Sequence, residues 1–408
     1  MFFLIFSSWA LANGLTTHSW ITTEAISLLP NGDLKDLLAD PSLERYWRNG
    51  TIFPDGGYPQ GDNYGEMAHW EPFQMAYLDW IKTHYQPPWT DEASQHIAFL
   101  LGMNSHGMAD QSFDSMYMSR AWVYDASADW SLSMDTATDV IFSSLTGPQT
   151  VPDAWIPDSA FIPIFESQGH IVDLNTLENG QDLVRTAVTW VGTAGQTDEL
   201  VDLYTPQFPW ANSNLLSETI SGAPPVEAQI VAEYWQVIWD RLHQEGIPNR
   251  LIRAFPSEND YAHPLSAADI ESRISLVFAK GLDTNAIDDG AFSIQHSDGS
   301  FHPISFDVFY GMNSHIVHLL PIEDFQADSD YTILIAAGLP FIDGSELSSP
   351  IESPFTTRLP PEPEADPKDS DGRGCQSLPK ELLSLWIMGL WTLRSRRVLE
   401  CAEKPSRL

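Results

Sequence analysis

His106 and Asp110, in the run HGMAD, stand four residues apart, which on a helix sets both side chains on one face about a turn apart. An imidazole and a carboxylate so placed can grip one cation or an adjacent pair. Asp114, another turn along, continues that face. His18, Asp55 and His69 join them as candidates: Asp55 lies in IFPDGGYP and His69 in AHWEPF, both beside turns that could aim them into a cleft. Imidazole nitrogens mixed with carboxylate oxygens, and no thiolate, suit Zn²⁺ at a catalytic site that keeps a position open for water. Two such ions a few ångströms apart would clamp a phosphodiester and lower the pKa of a bridging water. Taken singly, each residue reads as a satisfied polar group of a helical protein. The combination carries the inference.

Asn13 is a candidate of another kind. Residues 1–12, MFFLIFSSWALA, read as a secretory signal peptide with an apolar stretch and an A-x-A ending at Ala10 and Ala12. Cleavage there frees the amine of Asn13, five residues before His18. That amine and its own carbonyl can close a five-membered chelate on a cation, so a site of this kind forms only after export.

The elements that must position these groups change in texture along the chain. From Asn13 to Gln244 the periodicity is largely helical. Asp91 to Met118 carries Ile97, Leu100, Leu101, Met108 and Phe113 at helix spacing, and Glu227 to Leu242 reads as a helix closing the domain. After Gly246 alternating runs appear, such as Ile304-Phe306-Val308-Tyr310 and Tyr331-Ile333-Ile335, separated by turn formers like Ser297 to Ser300. They indicate a β-sandwich. Then comes an acidic, Pro-rich linker, LPPEPEADPKDSDGRG, with no capacity for a core.

The 408 residues imply more than one domain, and 43% hydrophobic with 12% aromatic content is ample for packed cores. With 56 acidic against 20 basic residues the net charge is -36, which argues against double-stranded nucleic acid held through its phosphates and against passive adsorption to anionic lipid. Cys375 and Cys401, both in the tail, leave the body without a disulfide, so any metal site there is built from His, carboxylates and backbone groups.

The run THSWITTEAISLL, then NGTIFPDGGYP, then AHWEPF and PPWTDEASQHIAFLLGMNSHGMADQSFDSMY resembles the catalytic domain of glycosylphosphatidylinositol-specific phospholipase D, within the wider zinc-dependent phospholipase C and single-strand nuclease superfamily. It extends weakly through WIPDSAFIPIF and AEYWQVIWDRL. The resemblance implies an all-α fold around a three-zinc cluster. Asp55, His69, His106 and Asp110 match ligands of the first zinc; the amine and carbonyl of Asn13, with His18 and a bridging Asp110, match the second. Asp55 would also orient or deprotonate the attacking water. At the third site the chain departs: the family has a His where Asp114 stands, then a His and an acid four apart, here Ser131 and Asp135. An oxygen set of Asp114, Ser131 and Asp135, with Asp139 a further candidate, suits Ca²⁺ or Mg²⁺ better than Zn²⁺, or the site is empty and two zincs remain.

Residues 249–357 resemble the bacterial immunoglobulin-like domain first known from surface-layer proteins, through LVFAKGLD, HIVHLLP and DYTILIAAGLPFIDGSELSSP. Behind the linker, Cys375, the apolar run Leu382 to Leu393 and the cluster Arg394, Arg396, Arg397 resemble the C-terminal sorting tails of some Gram-negative bacteria. That run falls short of the ~20 residues needed to span a bilayer.

The expected fold is therefore multidomain: a signal peptide at 1–12, an all-α zinc-dependent phospholipase C-like domain at 13–247, an all-β Ig-like sandwich at 249–357, the linker at 358–374 and a sorting or anchor tail at 375–408. The expected function is a secreted or cell-surface phosphodiesterase of a Gram-negative envelope, hydrolysing phospholipid head groups at a membrane surface through a zinc-activated water, with cell-surface contacts through the Ig-like part. The rivals are a single-strand nuclease of the same superfamily, stacking bases on aromatics, and a surface binding or adhesion protein that kept the scaffold without turnover. His96 reads as structural, and His315 and His318 as surface residues of a strand. Tyr58, Tyr64, Trp70, Trp80, Trp89, Trp122 and Trp130 read mostly as core, a minority lining an apolar cleft.

Overall fold

A computed structural model describes residues 13–130, 133–243, 249–257, 263–308 and 314–358. The signal, linker and tail segments read from the sequence lie outside these residues. The described residues fall within one compact unit, helical toward the N-terminus and β-sheet toward the C-terminus.

The helix Asp91–Ser112 is the axis of the helical half. Thr90 caps it by accepting a hydrogen bond from the Ala93 amide, and Asp91 and Glu92 favour the positive end of its dipole. Beyond its first turns it is buried on every side. At Ser112 it passes into a π-helical turn, Phe113–Met118, before resuming as Ser119–Tyr124. The helices Leu15–Leu28, Glu44–Ile52 and Pro224–His243 pack against it, the last through Trp235 Nε1 donating to the Leu101 carbonyl at 2.7 Å. Around Phe161 the rings of Phe53, Phe73, Tyr77 and Phe99 pack mostly tilted or edge to face, with centroids 4.8–5.6 Å apart. Such pairs stabilise by about 0.5–1.5 kcal/mol each beyond their buried area.

Eight short strands follow: β1 (Leu251–Phe255), β2 (Ile274–Phe278), β3 (Phe292–His296), β4 (Phe301–His302), β5 (Ile304–Val308), β6 (Ile316–Pro321), β7 (Asp330–Ile335) and β8 (Ile351–Thr356). They form two antiparallel sheets, ordered β1-β2-β6-β5 and β4-β3-β7-β8. The sheets share a core in which Leu276, Phe278 and Val317 of one meet Ile294, Ile333 and Ile335 of the other. Ile294 pairs with Ile333 across β3 and β7, and Tyr331, Ile333 and Ile335 turn inward as their alternation requires.

β2 breaks the alternation, since all five of its residues are buried. Its other face is covered by helices: Val277 and Ile316 belong to the helical core. This corrects the reading of His315 and His318 as surface residues, for both are almost fully buried. His318 Nδ1 lies 2.9 Å from Ser275 Oγ on the adjacent strand, and His315 sits at the seam between the two halves. Alternation along one strand cannot reveal that a second layer covers its outer face.

Candidate metal centre

His106 projects from the central helix with its Nδ1 2.7 Å from the Thr51 carbonyl, and His69 ends the helix Tyr64–His69 with its Nδ1 2.6 Å from the Gly65 carbonyl. A carbonyl only accepts, so each Nδ1 carries a proton, and Nε2 of each ring, which bears a bare lone pair when the ring is neutral, faces the cluster. The two Nε2 atoms face each other at 3.0 Å. Lone pairs at that separation repel unless a proton or cation lies between them. The carbonyl-fixed tautomer is also the arrangement that orients metal-binding imidazoles. The donor set fits a divalent cation.

Asp110 is the hub. Its Oδ2 lies 3.3 Å from His106 Nε2 and 3.4 Å from His69 Nε2, while Oδ1 lies 2.9 Å from His18 Nε2. Asp55 Oδ1 closes the first group, 3.5 Å from His69 Nε2 and 3.7 Å from His106 Nε2. Two sets with ligand geometry result: Asp55, His69 and His106, and His18, His106 and Asp110. The buried His18 ring stacks on His106 at 3.9 Å, with its Nε2 facing Asp110 Oδ1 at 2.9 Å and its Nδ1 without a hydrogen-bond partner. A buried imidazole held chiefly by a carboxylate is costly to leave so, which again fits a ligand.

The electrostatics follow from this crowding. Burial disfavours the imidazolium of His69, but the Asp55 and Asp110 carboxylates outweigh it and raise its pKa to about 9. In His18 burial is likewise outweighed by Asp110, and the shift is upward. His106 goes the other way, since burial and the neighbouring His18 both oppose its charge. Burial would raise the carboxyls of Asp110 and Asp55, yet the imidazoles hold both below the usual carboxylate range.

The site has a second set of supports. Gly107 lies between His106 and Asp110 in chain neighbourhood, and a Cβ there would strike the backbone carbonyl of His69. Gln74 Nε2 donates to that same carbonyl at 3.0 Å, while Gln74 Oε1 accepts from Asn104 Nδ2 at 2.6 Å, so His69 is tied to the central helix. At the other side, Asp139 accepts from the amides and hydroxyls of both Thr16 and Thr17. It caps the helix carrying His18, whose own preceding residue, Gly14, has no side chain and no room for one beside Asp139. Asp139 is therefore a capping group, and it belongs to neither ligand set among the described residues. The sequence offers Asp139 as a further oxygen of the third site, and in the structure amides and hydroxyls of another helix take up its oxygens.

Asn13 is buried at the same end of the central helix. Its Nδ2 lies 3.5 Å from the Ala109 carbonyl and donates to both oxygens of Glu227, at 3.0 and 2.9 Å. Glu227 is fully buried, and burial lifts its carboxyl well above the usual range despite the Asn13 bond. The sequence reading missed it, although a signal was there: Glu227, Ile230, Val231 and Tyr234 share one helix face, which places a carboxylate at the head of an apolar stripe. Asp114 lies buried on the π-helical turn and adds negative potential at Glu227. Asp135 sits in the first turn of the helix Met134–Thr146. Neither belongs to the two ligand sets among the described residues, and Ser131 lies outside them.

At the rim, Glu66 accepts from Tyr58 Oη at 3.0 Å and from Trp70 Nε1 at 2.8 Å, and both rings flank His69. Tyr64, in contrast, is wholly buried, and His96 is a core residue bonded to Tyr77 Oη at 2.7 Å.

No family model matches the chain. Part of it is similar to phosphatidylinositol-glycan-specific phospholipase D: 34% identical over 121 residues to the Rattus norvegicus protein, covering 28% of this chain and 14% of that one. The Homo sapiens protein is 32% identical over 120 residues, covering 27% and 14%. The Dictyostelium discoideum protein is 41% identical over 69 residues, covering 16% and 7%. This chain thus holds a region related to that phospholipase D, and the match spans about one seventh of the mammalian relatives' length. Among solved structures, the S-layer protein rSbsC aligns at 11% identity and a TM-score of 0.23 over 84% of this chain and 46% of that chain, a similarity too low to carry an argument.

Proposed function

We propose that this chain is an exported, metal-dependent phosphodiesterase that hydrolyses phospholipid head groups at a membrane surface. The observation that carries the reading is Asp110, whose two oxygens reach two ligand groups that meet at His106. The region related to phospholipase D supports the substrate class. Asp55, His69, His106 and Asp110 would hold one divalent cation, and His18 and Asp110, with the freed amine and carbonyl of Asn13, a second. Zinc is the metal that best suits these donors.

Divalent ions held there would supply positive charge to phosphoryl oxygens and acidify water. The chain's own groups do the rest. Asp55, the most exposed of the cluster and ionised well below neutrality, takes the proton of the attacking water. His69 and His106 keep Nε2 directed inward because Thr51 and Gly65 hold their other nitrogens. Tyr58 and Trp70 offer an apolar rim at the level where head group and acyl chain meet. The sheet half is read as an Ig-like module of an envelope surface, for its strand order corresponds to the A-B-E-D and C′-C-F-G pattern.

The test is product mass analysis on mixed phospholipid vesicles with zinc supplied. Wild type should release head-group or phosphorylated head-group products, and Asp110→Ala should abolish release and lower bound zinc. Full activity in that variant with unchanged metal content contradicts the reading. Cleavage of single-stranded DNA in place of phospholipid moves the assignment to a nuclease, and absence of both metal and turnover to a binding protein.

A further inference from the structure

The sheets meet the helices next to the metal centre, through polar side chains as well as apolar ones. Glu71 stands two residues after His69 and Gln111 immediately after Asp110. Both are buried, and both point to the sheet half. Glu71 Oε1 accepts from Arg241 Nη1 at 2.8 Å, and its Oε2 accepts from the Gly281 amide and lies 3.4 Å from His315 Nε2. Arg241 in turn donates to the Ala279 carbonyl at 3.0 Å. Gln111 Oε1 accepts the backbone amide of His315 at 2.8 Å, and His315 Nδ1 is fixed 3.0 Å from the Phe278 carbonyl. One residue of the sheet half therefore touches the chain neighbour of Asp110 through its amide and a near neighbour of His69 through its ring.

We propose that the sheet half is the outer wall of the metal centre, with Glu71 and Gln111 as positioning residues that fix His69 and Asp110. The proposal rests on the metal reading above. A helix is stiff over one residue, so a bond that holds Gln111 also sets the rotation of Asp110 about the helix axis. Glu71 opens the helix that follows His69 and anchors that corner from the far side, while Gln74 anchors it to the central helix. Ordinary packing between the halves would be met by apolar contacts such as Val277 and Ile316. Buried polar bonds that each lead to a ligand's neighbour cost desolvation and are directional. The sheet half then belongs to the catalytic apparatus and is not a mere tether.

The experiment compares zinc affinity of the full-length mature protein by calorimetry for wild type, Gln111→Ala, Glu71→Gln and Glu271→Ala. The last removes a junction ion pair with Arg120 that leads to no ligand. Loss of an outer-shell partner weakens metal binding by about 10- to 100-fold. That loss is expected for Gln111→Ala and Glu71→Gln, with Glu271→Ala staying close to wild type at an equal drop in melting temperature. Gln111→Ala binding zinc as wild type does, or all three variants weakening alike, overturns the proposal. Gln111→Ala leaves the Glu71 charge cluster intact and decides the matter should Glu71→Gln fail to fold. If wild type takes up no zinc, the metal reading falls on its own, and the imidazole nitrogen NMR shifts of His69 and His106 decide the positioning. Shifts altered by Gln111→Ala and not by Glu271→Ala support it, and unaltered shifts overturn it.

Discussion

Along the central helix the buried residues include Asn104, Ser105, His106, Asp110 and Gln111, whereas β7 buries Tyr331, Ile333 and Ile335 and keeps its polar residues toward the outside. Two regions of one chain thus use burial in opposite ways. Apolar burial stabilises the sheets at about 25 cal/mol per Å². Burying charged and polar groups costs free energy unless each finds a partner, and along the central helix those partners are a backbone carbonyl for His106, Gln74 for Asn104 and the His315 amide of the sheet half for Gln111. Regions that accept such a cost are where chemistry is to be sought, and Asp110 lies at the centre of this one. Among the polar groups that the sheet half buries, His315 is bonded through its amide to Gln111 of the helical half, while His263 packs within the sheet core against Phe325 and Phe355.

The contrast can be broken from either side. Ile333→Ala removes apolar volume from the middle of the sheet core and should lower stability by about 2–5 kcal/mol in chemical denaturation. Metal content of the folded protein should be unchanged; parallel loss of metal would mean that the sheet core and the centre are one cooperative structure. Gly107→Ala works in the other half, pressing a methyl group against the His69 carbonyl. Overpacking of this kind costs about 1–3 kcal/mol, and because His69 must move, zinc affinity should fall with stability. Affinity equal to wild type would show that His69 is not held by this contact.

Smaller effects sharpen the same comparison. Asp139→Ala removes the acceptor of the Thr16 and Thr17 amides and, as loss of a helix cap, should cost about 0.5–2 kcal/mol. It should also disorder the segment carrying Asn13 and His18, seen as reduced binding of the second zinc. The smallest effect concerns pH. Burial lowers the pKa of His96 to about 4, with nearby Glu92 opposing. A histidine depressed on folding contributes stability that is present above its ordinary value of 6.5 and is lost as pH falls through that value toward about 4. Denaturation between pH 7 and 4 should therefore show a steeper decline in wild type than in His96→Gln. Equal slopes would mean that His96 titrates normally.

Much of this was legible in the residues. The i, i+4 spacing of His106 and Asp110 places both on one helix face, and the structure brings His18, Asp55 and His69 to that face. The long helix and the alternating strands were read from periodicity, though not the π-helical turn, which no local pattern announces. The supports were less legible. Gly107, Gln74 and Asp139 act through backbone groups distant in sequence, and a side chain's type says nothing of which remote carbonyl or amide it will meet. Glu227 and His315 were hidden for a related reason: each lies on an element whose covering layer comes from another part of the chain.

The most direct test of the account is the number of zinc ions bound by the mature protein, measured by calorimetric titration alongside elemental analysis, for wild type and Asp110→Ala. Two or more ions in wild type, with loss of binding at both groups in the variant, is the expected result. Wild type that binds none, or a variant that keeps the full complement, would contradict a centre built around Asp110.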